Sequence, residues 1–248
     1  MTIEFRHIVK RFGDKLVIDD VSFAVPERTV QFVIGMSGTG KSVLMKHLVG
    51  LLRPDSGEVL LDGENIAQLT EQEFFRVRRR CGMVFQHSTL FDSMTLLDNI
   101  AMPIRKLRAV SRAQALSEAQ AALELVHLAA DGRRFPPELG AGLRKRAAIA
   151  RALALKPAYL IYDEPTTGLD PVAARRIDTL IREMADKTGV TSLVVSHDLT
   201  SIFAIADRVA FLFRGKLHFI GTPAELRASA DPVVTQFISG RAEGPMST

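Results

Sequence analysis

The stretch Gly35-Met36-Ser37-Gly38-Thr39-Gly40-Lys41-Ser42 follows the apolar run Val30-Gln31-Phe32-Val33-Ile34 and leads into Val43, Leu44, Leu48 and Val49. Strand, glycine loop and apolar helix start, in that order, are the context of a phosphate-binding loop. The glycines let successive backbone N–H groups turn inward around a polyphosphate. The helix that follows aims its partly positive end at the same anion. Lys41 supplies a full charge for the terminal phosphates, and the Ser42 hydroxyl is a hard oxygen ligand for Mg²⁺. An ordinary glycine turn is the bland alternative, and the flanking strand and helix patterns argue against it. The reading is a nucleoside triphosphate site built from Gly35, Ser37, Gly38, Thr39, Gly40, Lys41, Ser42 and Val43.

Working outward, 248 residues suffice to bury a full core, and an apolar fraction of 47% fits a globular chain. No uncharged apolar run approaches bilayer-spanning length; even 202–213 is broken by Asp207 and Arg208. The start, Met1-Thr2-Ile3-Glu4-Phe5-Arg6, carries an acid and lacks an apolar centre, so a secretory signal is not expected there. Cys81 stands alone, which leaves no internal disulfide and fits a reducing cytoplasm. The net charge of +4 is too mild to point to a partner.

Short strands are predicted at Ile3–Phe5, Val17–Ile18 and Val21–Val25, with turns at Asp14 and Pro26-Glu27. The turn cluster 53–57 and the turn Asp62-Gly63 frame Glu58–Leu61 as part of a hairpin. Thr70, with Glu73 three residues on, predicts a capped helix from Thr70 to Arg80. Arg78-Arg79-Arg80 reads as a solvated helix end; no aromatic ladder accompanies it, so no nucleic-acid partner is expected. Met83–Phe85 reads as a strand, Ser111–Ala130 as a helix capped by Ser111, and 142–156 as another helix. Tyr159–Tyr162 and Ser192–Val195 read as buried strands flanking a helix over Pro171–Lys187.

Strands and helices thus alternate around a helical block, which predicts an α/β fold. Its parts are a P-loop core with a parallel sheet, a small antiparallel sheet near the N-terminus, and an inserted helical subdomain. Within a single domain, 1–87 and 158–248 form the core and 88–157 the helical part.

The strand Tyr159–Tyr162 ends in Asp163-Glu164-Pro165. In a chain that already has a phosphate loop, a carboxylate at the end of a buried strand is placed to hold Mg²⁺, here Asp163. Glu164 faces another way and can orient or deprotonate an attacking water. Two surface acids closing a strand are the alternative. The remaining histidines, at 7, 47, 87, 127 and 218, show no metal-ligand spacing.

With these residues in view, the order of segments resembles the nucleotide-binding subunit of ABC (ATP-binding cassette) transporters over nearly the whole chain. The glycine loop matches the family's Walker A motif and Asp163-Glu164 its Walker B acids. Phe85-Gln86 resembles the Q-loop, and Pro137 to Leu143 stands where the signature motif belongs. Gly168-Leu169-Asp170 resembles the D-loop, and Val195-Ser196-His197-Asp198 the histidine switch. The resemblance implies Mg²⁺-dependent ATP hydrolysis, with Glu164, His197 and Gln86 as catalytic residues and Ser42, Gln86 and Asp163 around the metal. It implies that Phe12 stacks on adenine, with an ordinary core phenylalanine as the alternative. It also implies that Gln86 lies at a groove for a permease helix, that His197 meets the γ-phosphate, and that Gly140, Gly142 and Asp170 complete the nucleotide contacts.

The family's signature is usually Leu-Ser-Gly-Gly-Gln; here it reads Leu139-Gly140-Ala141-Gly142-Leu143. Gly140 lacks the serine hydroxyl that reaches the opposite subunit's γ-phosphate, a bond worth about 1.5–3 kcal/mol. Ala141 adds a methyl group where backbone approaches phosphate. The helix end and Gly142 remain for anion stabilisation. A homodimer is implied, and a heterodimer with one intact signature is the alternative.

Leu90 to Ile104, Arg144 to Arg151 and Asp231 to Pro245 are most similar to ATPases of the MCE/Mla type, which move phospholipid between bacterial membranes. The partners implied are an integral membrane permease, an MCE substrate-binding protein and a small regulatory subunit, on the cytoplasmic face of the inner membrane. Because the sequence runs only to Thr248, a short tail without a dimer-embracing extension is expected. Three alternatives stay open: a low-turnover ATP-dependent switch, the ATPase of another importer, and a soluble ABC protein of DNA repair or translation.

Overall fold

The structure, a computed structural model, describes residues 2–246. Residue 1 of the proposed N-terminal reading and the last two residues of the tail lie outside it. The chain forms two compact units, one from Met1–Val77 with Leu193–Thr248 and the other from Arg78–Ser192. Chain passes between them within the helix Glu71–Arg78 and the strand Thr191–Val195.

In the first unit an antiparallel sheet runs in the order Lys15–Val25, Ile3–Phe12, Ser56–Leu61, Glu64–Asn65. Ile3 pairs with Val25 on one side and Leu61 on the other, and Phe5 with Phe23 and Val59. Alternation drives this: Ile3 and Phe5 on one strand and Val21, Phe23 and Val25 on the other are buried while Glu4, Ser22 and Ala24 between them are not, and Ile8 and Ile18 are buried beyond the register shifts. The two short strands expected at Val17–Ile18 and Val21–Val25 are one, Lys15–Val25. The acids Asp19-Asp20 mask its continuity, and Asp20 takes φ 55° opposite His7 at φ 52°, where the register shifts. The hairpin expected around residues 62–63 forms, with Leu61 pairing Glu64.

The strand Val30–Ile34 is buried at all five positions, as a strand covered on both faces must be. It runs parallel to Arg208–Phe213, which turns back through Arg214-Gly215 into the antiparallel strand Lys216–Gly221. The helix Lys41–Leu48 follows the glycine loop. Among the described residues no helix is long and apolar enough to cross a membrane.

In the second unit Cys81–Val84 pairs parallel with Tyr159–Asp163, Cys81 opposite Tyr159 and Val84 opposite Tyr162. The strand expected at Met83–Phe85 therefore begins two residues earlier. Burial pushes the Cys81 thiol up to about 12, although the residue as a whole keeps some exposure. The helix expected through Arg80 ends at Arg78, because the Arg80 carbonyl accepts from the amides of Ala158 and Tyr159 instead. Its capping box is present: Thr70 N and Oγ1 each donate to Glu73 Oε2 at 2.8 Å.

Four helices fill this unit: Leu96–Arg108, Arg112–Leu125, Ala141–Leu153 and Pro171–Thr188. The second was expected to reach Ala130 but stops at Leu125. His127, at φ 56°, takes the left-handed role usually left to glycine, and Arg146 caps the Val126 and His127 carbonyls at 2.8 and 2.9 Å.

Candidate functional site

In the first unit the glycine loop joins a buried strand to a helix that has no acidic residue in its first turn. The positive end of that helix is therefore unopposed by a carboxylate of its own. Two glycines are dictated by geometry. Gly35 has φ 148°, and a Cβ there would come within 2.4 Å of the Leu212 carbonyl oxygen. Gly40, the N-cap, has φ 96°, and a Cβ there would come within 2.2 Å of Ile18 Cδ1.

Thr39 Oγ1 ties the loop across by donating to the Met36 carbonyl at 2.9 Å. Lys41 is 7% exposed, and its Nζ donates to the Gly35 and Met36 carbonyls at 2.9 Å each. A cation is thus held against the loop backbone, with Ser37 and Gly38 exposed, Ser42 and Val43 half-buried one helix position on. Glycines that leave no room for side chains, an unopposed helix end and a held ammonium fit a polyphosphate.

Phe12 ends the strand Ile3–Phe12 and is 47% exposed, with the Lys10 ammonium 5.5 Å from its ring centroid. It is not a core phenylalanine. His197 is exposed just beyond the strand Thr191–Val195. Its neighbours are fixed: Ser196 is buried with its amide donating to the Val33 carbonyl at 3.3 Å, and Asp198 caps the helix Leu199–Ile205.

In the second unit Tyr159 to Tyr162 are fully buried, and the strand delivers Asp163 and Glu164 half-buried at its end. Glu164 has φ 49°, a left-handed backbone immediately past the strand end. Thr167 Oγ1 donates to Glu164 Oε2 at 2.9 Å and fixes that carboxylate. Asp170 caps the helix Pro171–Thr188 by accepting from the Ala173 amide at 2.9 Å. Gly140 is the N-cap of Ala141–Leu153 and makes no side-chain cap bond.

A cleft of about 260 Å³ gathers Gly140, Ala141, Gly142, Gly168, Asp170 and Arg176. A second, of about 380 Å³, gathers Gln86 with Lys145, Thr167 and Gly168. Gln86 is exposed, and its carbonyl accepts from the Lys145 ammonium at 2.6 Å. Burial pushes Lys145 down to about 8, against the opposing pull of the Asp163 carboxylate.

Lys145 and Thr167 escaped the sequence reading. A signal existed for the first, since Lys145 lies on the same apolar stripe as Ala148, Ile149 and Ala152. Among the described residues no group of three or more His, Cys, Asp or Glu could hold a metal by itself. Ser42, Gln86 and Asp163 are oxygen donors of the hard kind that Mg²⁺ takes.

Residues 18–167 match the family model described as ABC transporter. The chain is 38% identical over 246 residues to the probable ribonucleotide transport ATP-binding protein mkl of Mycobacterium leprae, covering 99% of this chain and 71% of that protein. It is 36% identical over 244 residues to the intermembrane phospholipid transport system ATP-binding protein MlaF of Escherichia coli K12, covering 98% and 91%. Among solved structures, the ATP-binding cassette MJ0796, a dimer in a post-hydrolysis state with ADP and Pi, matches with a TM-score of 0.80 at 28% identity, over 89% of this chain and 98% of that one. The cbiO1 protein of Clostridium perfringens, part of the ABC transporter complex cbiONQ, matches with a TM-score of 0.85 at 26% identity, over 92% and 90%.

Proposed function

The chain belongs to the ABC transporter family, and from that premise we propose that it is the ATP-hydrolysing subunit of a bacterial transporter moving phospholipid between membranes with an MCE-type system. The observation that carries the nucleotide chemistry is the loop at 35–42, with Gly35 and Gly40 at positive φ in close quarters that disfavour a side chain and Lys41 bonded against it. The phospholipid assignment rests on the similarity to MlaF, together with the segments 90–104, 144–151 and 231–245.

Each residue then has a task. The loop amides and Lys41 bind and orient the phosphates. Phe12 offers its exposed ring face to the base. Glu164, held by Thr167, accepts a proton from the attacking water, and His197 contacts the γ-phosphate. When bound, Mg²⁺ neutralises phosphate charge, and Ser42, Gln86 and Asp163 are the residues that would hold it. Gly140 to Gly142 present the signature helix end to a nucleotide held by a second copy. ATP closes that dimer and hydrolysis reopens it, moving a membrane permease. An MCE protein and a small regulatory subunit complete the assembly on the cytoplasmic face of the inner membrane, and 88–157 acts as the signature-bearing subdomain.

The test is reconstitution with the permease and MCE partner in phospholipid vesicles. ATP-dependent transfer of labelled phospholipid is expected; ATP-dependent uptake of a labelled ribonucleotide with no lipid transfer would overturn the substrate.

One observation favours a second reading, a low-turnover switch: the signature has no hydroxyl. A Cβ at Gly140 meets nothing within 4 Å, so a serine fits without rearrangement. Gly140→Ser is therefore expected to raise kcat about ten- to a hundred-fold, the equivalent of one hydrogen bond to an anion. Unchanged turnover at a rate already high would sink the switch and leave the bare helix end sufficient.

A further inference from the structure

We propose that Lys145, assisted by Arg151, is a positioning residue that locks the backbone of the loop carrying Gln86 to the signature helix. This rests on the reading above in which Gln86 takes part in ATP turnover. The sequence puts a lysine on the buried stripe of Ala141–Leu153, where Lys145 is only 2% exposed among Ala148, Ile149 and Ala152. A buried ammonium needs acceptors for its three protons, or its desolvation goes uncompensated. It finds two on one loop: Nζ donates to the Phe85 carbonyl at 2.9 Å and to the Gln86 carbonyl at 2.6 Å. Two turns along the same helix, Arg151 donates to the Thr89 carbonyl at 2.8 Å and to Thr89 Oγ1 at 2.9 Å.

The segment so held has little else to hold it. Gln86, His87 and Thr89 are exposed, and only Phe85, itself 37% exposed, adds partial apolar cover. Two cations from one helix therefore define where the backbone of 85–89 sits, and neither bonds to the Gln86 side chain. Because those bonds go to backbone oxygens, they fix position whatever the loop's side chains are. Loop and signature helix then move as one piece, so any displacement of the helix is delivered directly to Gln86. A misplacement of about 1 Å in a reacting constellation costs on the order of a hundred-fold in rate.

The full chain is assayed with Mg²⁺ and ATP as wild type, Lys145→Met, Lys145→Arg, Gln86→Ala and the double variant Gln86→Ala with Lys145→Met. Methionine keeps the length and the buried stem but donates nothing; arginine can still serve two carbonyls. Lys145→Met is expected to lower kcat about ten- to a hundred-fold with ATP affinity unchanged, and Lys145→Arg to restore most of it. In the Gln86→Ala background, Lys145→Met is expected to cost nothing further, since its effect passes through Gln86.

The same fold-loss in both backgrounds, or wild-type kcat in Lys145→Met beside an impaired Gln86→Ala, would overturn the positioning role alone. Normal turnover in Gln86→Ala would overturn the role of Gln86 itself, and the inference with it. Hydrogen exchange on Lys145→Met, which removes the donor, gives a readout independent of activity. Amides 85–89 are expected to exchange faster while 141–153 keep their protection, and no change at 85–89 would overturn the proposal.

Discussion

Exchanging Glu164 for glutamine is expected to lower ATP turnover by about 10²–10⁴-fold, the contribution of a well-placed general base, while ATP still binds. Four fully buried residues, Tyr159 to Tyr162, fix the strand that ends at this carboxylate. The backbone just past the strand end is left-handed at Glu164. Thr167 donates to Oε2 at 2.9 Å, and a glutamine amide oxygen can accept that same bond, so the substitution preserves shape and removes only the basic oxygen. Single-turnover hydrolysis beside equilibrium nucleotide binding separates the two quantities. A variant that hydrolyses ATP at the wild-type rate would remove Glu164 from the reaction, and one that no longer binds ATP would make it a structural residue.

Lys41→Ala is expected to act on the other quantity. The ammonium is nearly buried and donates twice into the loop, so its removal takes away a full charge opposite the phosphates and leaves the Gly35 and Met36 carbonyls without that donor. Charge-assisted bonds contribute about 1.5–3 kcal/mol each, so ATP affinity is expected to fall at least ten- to a hundred-fold. Calorimetric titration with ATP measures it, and an unchanged dissociation constant would mean that the loop amides alone hold the phosphates. Equal loss of binding in Lys41→Ala and Glu164→Gln would erase the division of labour between them.

Much of this was open to reading because it is local. The glycines at 35, 38 and 40, the buried runs at 30–34 and 159–162, and the Thr70–Glu73 box each carry their structural reason within a few residues. The helix Leu96–Arg108 did not stand out, since Pro103 lies inside it and interrupts the pattern. It is held from outside its own turn by Asn99, buried and bonded to the carbonyls of Phe91, Met94 and Thr95. The stop at Leu125 was equally hidden, because His127 and a guanidinium twenty residues away replace the expected glycine. Of the candidate site, single positions were legible and supports were not. Nothing near Gln86 in sequence announces that Lys145, 59 residues on, grips its backbone.

The shielded thiol at Cys81 has a practical consequence. Burial holds its pKa well above that of an ordinary cysteine, up to about 12, so little thiolate forms near neutral pH. A maleimide or spin label applied to this chain is therefore expected to react slowly at Cys81, which mass spectrometry of the labelled wild type checks. One cysteine introduced at an exposed position such as Met36 or Phe85 becomes the sole reporting atom, with no need for a cysteine-free background.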